Sequence, residues 1–215
     1  MRMQIDHVLS KARPRVVAML RTRDKYSTES MIHQYKSHVL GLLEYSSSSV
    51  LHACESQLER LDSVQRRFLH GLTLNEETAF RVYNLAPPTL RRDIGVLGLI
   101  HKRVLGLAHP AYNELLPWAP PLVWPPGVIP TRHDKQLDSH GMEVIFNHNL
   151  FYRSIFDLTE VYNRLPQIIV NFDTVKDFQA ALTNMARYRC SRGVEHWKYS
   201  FNSVHRGSFV YSADA

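Results

Sequence analysis

The chain has 215 residues, of which 44% are hydrophobic and 21% charged, so its composition excludes disorder throughout and suits one domain or two small ones. Two cysteines without a C-x-x-C spacing indicate neither a disulfide framework nor a zinc finger, and the formal net charge of +6 favours an anionic partner. Because no uncharged apolar run approaches the ~20 residues that cross a bilayer, and no secretory signal opens the sequence, we expect a soluble, intracellular protein that does not enter a membrane.

Apolar residues recur at helical spacing through the first two thirds of the chain. Pro14 should kink the first helix or start a new one, and Ser27 or Thr28 offers an N-cap to the second. The apolar positions of these two helices are Ile5, Val8, Leu9, Ala12, Val16, Met19 and Leu20, followed by Met31, Ile32, Tyr35, Val39, Leu42 and Leu43. The serine run at 46–49 predicts a break after them, because serine hydroxyls compete for backbone groups.

Three further helices are predicted before residue 116. The clearest has Leu58, Leu61, Val64, Phe68 and Leu69 on one face, and Gly71 can end it in a left-handed cap. Asn75 caps the next helix, and Pro88 is well placed in the first turn of the one that follows. Gly95, Gly98 and Gly106 weaken that last helix but could permit close contact with a neighbouring helix.

Six of the eleven prolines lie between residues 117 and 130, which predicts an extended linker. Beyond it we expect a helix over 146–165, a short β-prone run over 168–170 and a last helix capped by Thr174. The predicted fold is therefore mainly α. It has a helical, thumb-like bundle over 1–116, the Pro-rich linker over 117–130, a smaller helical region with little strand over 131–186, and a poorly ordered basic and aromatic tail over 187–215.

Positive charge is concentrated near both ends of the chain. Residues 1–36 hold eight basic and three acidic side chains, and residues 187–206 hold five basic and one acidic. This distribution indicates contact with a polyanion, of which nucleic acid is the commonest. The alternative, which charge alone leaves open, is that the ends are solvated segments that bind nothing specific.

Several sequence segments carry a resemblance to one known family. Residues 35–45 read Y-K-S-H-V-L-G-L-L-E-Y, residues 58–69 read L-E-R-L-D-S-V-Q-R-R-F-L, and residues 90–99 read L-R-R-D-I-G-V-L-G-L. F-Y-R-S at 151–154, Y-N-R-L-P at 162–166 and V-K-D-F at 175–178 follow in order. Together they resemble the region after the palm of non-LTR retrotransposon reverse transcriptases, which are RNA-directed DNA polymerases. The departures are a missing tryptophan near Val50 and Leu51, and a tyrosine, Tyr162, where the family has tryptophan.

The resemblance implies the thumb and following segments of such an enzyme without its catalytic palm. The family holds two divalent ions with an Asp-Asp turn and a third aspartate, and this sequence contains no Asp-Asp pair. Nor does it contain a G-x-S-x-G elbow, a P-loop or an H-E-x-x-H, and Cys190, His196 and His205 match no common zinc site. We therefore expect no catalytic residue, no metal ligand, no cofactor and no enzyme activity, with a palm domain as the missing partner.

The resemblance places the candidate nucleic-acid contacts on the first helix and on the helix after residue 55. The candidates are Arg13, Arg15, Arg21, Arg23, Lys25, Gln65, Arg66 and Arg67. Such groups would position a template-primer duplex through its phosphates without reading its sequence. The alternative is that Arg66 and Arg67 form ion pairs with Glu59, Asp62 or Asp93.

Two other readings stay open. The basic and aromatic segment over 188–199 could stack unpaired bases, although a frayed tail explains the same composition. The whole chain could instead be a helical structural or interaction module with no nucleic-acid role, or a fragment that does not fold stably.

Overall fold

The computed structural model describes residues 2–45, 50, 52–120, 132–138 and 154–202. These residues are mainly helical, which confirms the expected fold class, and within them the pairing of extended backbone is limited to an antiparallel β-bridge between Trp118 and Leu137. The chain divides into two compact units. The first unit comprises Met1–Arg92 and Arg187–Lys198, and the second comprises Asp93–Ala186 and Tyr199–Ala215.

The first unit is built from the helices before Arg92 and from the later segment Arg187–Lys198. Its elements are α1 (Arg2–Arg21), a 3-10 turn (Arg23–Lys25), α2 (Thr28–Tyr35), a π-helical segment (Lys36–Leu40), α3 (Gly41–Glu44), α4 (Glu55–Gly71), α5 (Glu76–Tyr83) and the start of α6 (Pro88–Val104). The remaining helices are α7 (Ala111–Leu115), α8 (Ile155–Tyr162), α9 (Gln167–Val170) and α10 (Val175–Ser191), with a 3-10 turn at Trp197–Tyr199. The second unit holds most of α6 and α10 and all of α7, α8 and α9.

Side-chain caps fix two helix starts that the sequence predicts. Ser27 accepts a hydrogen bond from the Ser30 amide at 3.2 Å, and Asn75 accepts one from the Thr78 amide at 2.7 Å. No new helix starts at Pro14, because α1 continues through it, and the predicted kink stays a prediction. A proline inside a helix costs about 3 kcal/mol, and burial of apolar side chains beyond it, such as Val16 and Met19, offsets that cost at about 1.5–3 kcal/mol each.

The core of the first unit is made by the apolar faces of α1, α2 and α4. The rings of Tyr35 and Phe68 stack at its centre, with 4.4 Å between centroids and 19° between planes. The buried residues around them include Ile5, Val8, Leu9, Ala12, Val16, Met31, Ile32, Val39, Leu61, Val64 and Leu69. The helical spacing of the sequence therefore predicted this core correctly.

Gly71 ends α4, but for a different reason from the one predicted. The left-handed residue is Thr73, with φ of 53°, and its amide and that of Leu74 donate to the last turn of the helix. A Cβ on Gly71 would lie 2.5 Å from Leu20 Cδ2. The glycine therefore permits close approach of α1, and the prediction of a left-handed cap at Gly71 is wrong.

The second unit buries aromatic and aliphatic side chains of α6, α8 and α10, among them Leu97, Tyr162 and Phe178. The β-prone run expected at 168–170 is helical instead, since Pro166 stands at the N-cap of α9 and the chain turns there. The helix expected over 146–165 is present from Ile155 to Tyr162, with Ser154 as its cap, and residues 146–153 lie outside the described residues. The serine run at 46–49 lies outside them as well.

The expected poorly ordered tail is wrong for residues 187–202. The helix α10 continues to Ser191, and Cys190 and Phe201 are buried. Trp197 stacks on Phe80 with 5.3 Å between ring centroids and 9° between planes. The segment therefore packs through its apolar side chains, which the prediction from its basic character overlooked. The predicted linker stays a prediction, because residues 121–130 lie outside the described part of the chain.

Candidate nucleic-acid interface

The first unit brings together the first two sequence segments that carry the resemblance and the start of the third, at residues 90–92. Lys36, from the first segment, donates from Nζ to the backbone oxygen of Tyr83 at 2.6 Å. Arg91, from the third segment, forms an ion pair with Glu44 of the first. The Tyr35–Phe68 stack joins the first segment to the second. These residues of the quoted segments therefore hold the helices of the first unit to one another.

Arg92, from the third segment, is a buried charged residue. Its guanidinium donates two hydrogen bonds to the Asp62 carboxylate, at 2.6 and 2.9 Å, and the whole residue is 8% exposed. This fork geometry is the strongest form of an arginine–carboxylate pair. It occupies Asp62, one of the acidic groups considered as partners of Arg66 and Arg67.

Gln65 is fully buried, so its assignment to a nucleic-acid surface is wrong. Its side-chain amide donates to the backbone oxygen of Ala86 at 3.0 Å. The sequence contained the signal for this, because position 65 lies four residues after Leu61 and three before Phe68. Residues at those intervals share one helix face, and that face is the buried one.

Arg66 is exposed and forms an ion pair with Glu59, as the alternative reading proposed. The hydrogen bond between them raises the pKa of Arg66 and lowers the pKa of Glu59. Because both side chains are about half exposed, the pair stabilises the fold only slightly. Arg67 is also exposed, and it lies about 100° further round the helix.

The basic residues of α1 do not form one stripe. Arg13 and Arg15 are both exposed, but a separation of two residues places them about 160° apart around a helix. Arg15 donates from Nη1 to the backbone oxygen of His38 at 2.7 Å, which ties it to the π-helical segment. Arg13 and Arg15 therefore cannot both face the same stretch of a duplex.

Arg21, Arg23 and Lys25 are all exposed at the end of α1 and in the turn that follows; we call these three residues the α1 basic end. The Arg23 guanidinium is 3.6 Å from the Asp24 carboxylate, and both side chains are more than half exposed, so solvent screens the pair. Arg21 lies in the last turn of α1, where its charge stabilises the negative end of the helix dipole. This role is compatible with phosphate contact.

Within the part of the chain that is described, no three His, Cys, Asp or Glu side chains are grouped so that they could hold a metal ion. The described helices also include none that is long and apolar enough to cross a membrane. No protein-family model, no curated protein and no solved structure matches the chain. The resemblance to reverse transcriptases therefore rests on the quoted sequence segments.

Proposed function

We propose that the chain is a non-catalytic helical portion of a retroelement reverse transcriptase, and that its first unit contacts the phosphate backbone of a template-primer duplex. The packing of the first three resembling segments against one another supports this proposal, because two proteins of the same fold would share the residues that pack its helices together. Polymerisation would need the clustered carboxylates of a palm, so the proposal assigns binding to this chain and catalysis to a partner palm domain.

The observation that carries the proposal is the exposure of the α1 basic end. Arg21, Arg23 and Lys25 place three positive charges within five residues, and phosphate contacts of this kind dominate affinity for nucleic acid. Arg13 and Arg67 are further exposed candidates, whereas Gln65 is removed from the site by its burial.

A salt titration of binding to an RNA–DNA hybrid tests the proposal. We expect the logarithm of the binding constant to fall linearly with the logarithm of salt concentration, with about 0.9 in slope for each phosphate contact. The triple variant R21Q/R23Q/K25Q should lose about 2–3 from that slope if each side chain meets one phosphate. The variant K102Q/R164Q/K176Q, which removes three exposed charges from the second unit, is the matched control. Absence of binding at low salt would refute the proposal.

The alternative is a helical interaction module without a nucleic-acid role. Large exposed apolar side chains favour it, and in the first unit these include Tyr45 at 90% and Val82 at 67% exposure. The same titration separates the two functions, since a module without a nucleic-acid role would not bind the hybrid even at low salt.

A further inference from the structure

Two cationic side chains from distant parts of the sequence are held at the end of α5, and a third acts electrostatically on one of them. Lys36 comes from the π-helical segment, Arg91 from the first turn of α6, and Arg187 from the last turns of α10. Lys36 donates to the backbone oxygen of Tyr83, and Arg187 donates to the side-chain oxygen of Asn84. Since the two acceptors belong to consecutive residues, the ammonium and the guanidinium are both held at the end of α5.

The backbone and ring contacts hold this group in place. Asn84 adopts a left-handed conformation, with φ of 52° and ψ of 40°, where it closes α5. The guanidinium carbon of Arg187 lies 5.5 Å from the centroid of the Phe80 ring, a cation–π contact. Arg91 is positioned by its ion pair with Glu44. An incoming ligand would therefore meet cations whose orientation is already fixed.

The charges of the group act on one another. Burial lowers the pKa of Lys36, and the positive charges of Arg91 and Arg187 lower it further. Like charges held this close raise the free energy of the unliganded protein, and a bound anion would relieve that repulsion. Lys36, Arg91 and Arg187 are each only partly buried, so an anion can reach them from solvent.

We propose that Lys36, Arg91 and Arg187 form a binding site for a phosphate group of a nucleic-acid strand, distinct from the α1 basic end. Guanidinium groups donate in a planar fork that matches phosphate oxygens, and the lysine ammonium adds a compact charge. The carboxylate of Glu44 already accepts from Arg91, so a bound phosphate would share that guanidinium with Glu44. The inference rests on the proposed function, to which it adds a second point of contact.

The double variant K36Q/R187Q tests the site, because glutamine removes both positive charges and keeps a polar side chain with N–H donors. We expect the dissociation constant for an RNA–DNA hybrid to rise about tenfold at low salt and the salt slope to fall by about 1. The matched control is K11Q/R60Q, which also removes one lysine and one arginine charge from the first unit. An unchanged affinity of K36Q/R187Q, with weaker binding by R21Q/R23Q/K25Q, would overturn the inference and leave the proposed function standing.

Glu44→Gln distinguishes a loss of phosphate contacts from a folding defect. It removes the negative charge but keeps an oxygen for Arg91, so hybrid binding should become a few times tighter, whereas a folding defect would weaken it. Inorganic phosphate, compared with chloride at equal ionic strength, should raise the melting temperature of the wild type and not that of K36Q/R187Q. Phosphate stabilisation without any hybrid binding would refute both the nucleic-acid ligand and the proposed function.

Discussion

Arg92 and Asp62 form a two-pronged ion pair that joins the first turn of α6 to the middle of α4. The side chains are 9% and 16% exposed, so neither charge is well solvated if its partner is lost. We expect Arg92→Ala to lower the free energy of unfolding by about 3–5 kcal/mol, because it leaves a desolvated carboxylate. Denaturant unfolding followed by circular dichroism measures this change.

Two controls belong with that measurement. Arg66→Ala removes an ion pair of exposed groups and should cost only about 0–1 kcal/mol. The double variant Asp62→Leu with Arg92→Met should recover much of the loss, since apolar side chains of similar size often replace a buried pair without destabilisation. A small effect of Arg92→Ala would mean that water reaches Asp62 freely.

Gln65→Ala should destabilise the protein and leave hybrid binding unchanged. The substitution removes the hydrogen bond to the backbone oxygen of Ala86 and leaves that acceptor buried, at a cost of about 1–3 kcal/mol. Arg67→Ala should do the reverse, because an exposed side chain changes stability by less than about 0.5 kcal/mol while its charge can contact phosphate. Unfolding and binding titrations on the same two variants check the contrast.

Gln65 also illustrates how far the sequence predicts this fold. The helical spacing of apolar residues identified the core of the first unit, and capping chemistry identified Ser27 and Asn75. The resemblance placed Gln65 among the duplex contacts, although its position on the helix face called for burial. Position outweighs residue type where a backbone acceptor such as that of Ala86 is within reach.

Long-range pairing could not be predicted in the same way. Arg92 and Asp62 are 30 residues apart, and the cations at 36, 91 and 187 are farther apart still. Local spacing determines which face of a helix is apolar, but the contacts between helices depend on how those faces pack. The tail from residue 187 was misjudged for that reason, because the partner of Trp197 is Phe80, more than a hundred residues earlier.

Cys190 should resist thiol reagents in the native protein, whereas Cys54 should react. Cys190 is fully buried, and burial raises the pKa of its thiol, so little thiolate is present at neutral pH. Cys54 is exposed at the start of α4. We expect a chromogenic disulfide reagent to titrate one thiol before denaturation and two after it, with Cys54→Ser as the control that loses the fast reaction. Rapid labelling of both cysteines would mean that residues 187–202 are not packed as described.

Two buried histidines of the second unit are held in their neutral form. His101 donates from Nε2 to the Phe172 backbone oxygen at 2.8 Å and accepts the Tyr162 hydroxyl at Nδ1, at 3.0 Å. His133 donates from Nε2 to the Tyr162 backbone oxygen at 3.0 Å and accepts the Lys135 amide at Nδ1, at 3.1 Å. A protonated His133 ring would carry an N–H at Nδ1 that points at the Lys135 amide N–H. The hydrogen bonds therefore disfavour the charged ring.

Acidification should therefore destabilise the second unit. Burial lowers the pKa of both His101 and His133, whereas an unfolded chain binds the proton near the ordinary value of about 6.5. Below about pH 6.5 the unfolded state binds more protons than the folded state, so the free energy of unfolding falls as the pH decreases through that window. Asp134 and Glu59, whose pKa values are also lowered, contribute only at more acidic pH.

Urea unfolding at a series of pH values from about 7.5 to about 5 measures this dependence, since the histidines of the unfolded chain take up protons within that range. His101→Gln and His133→Gln should each reduce the slope of the free energy of unfolding against pH, even where they lower stability at pH 7, because each removes one titrating group. Stability that stays level or rises on acidification would show that the two rings accept protons in the folded state as readily as in the unfolded chain.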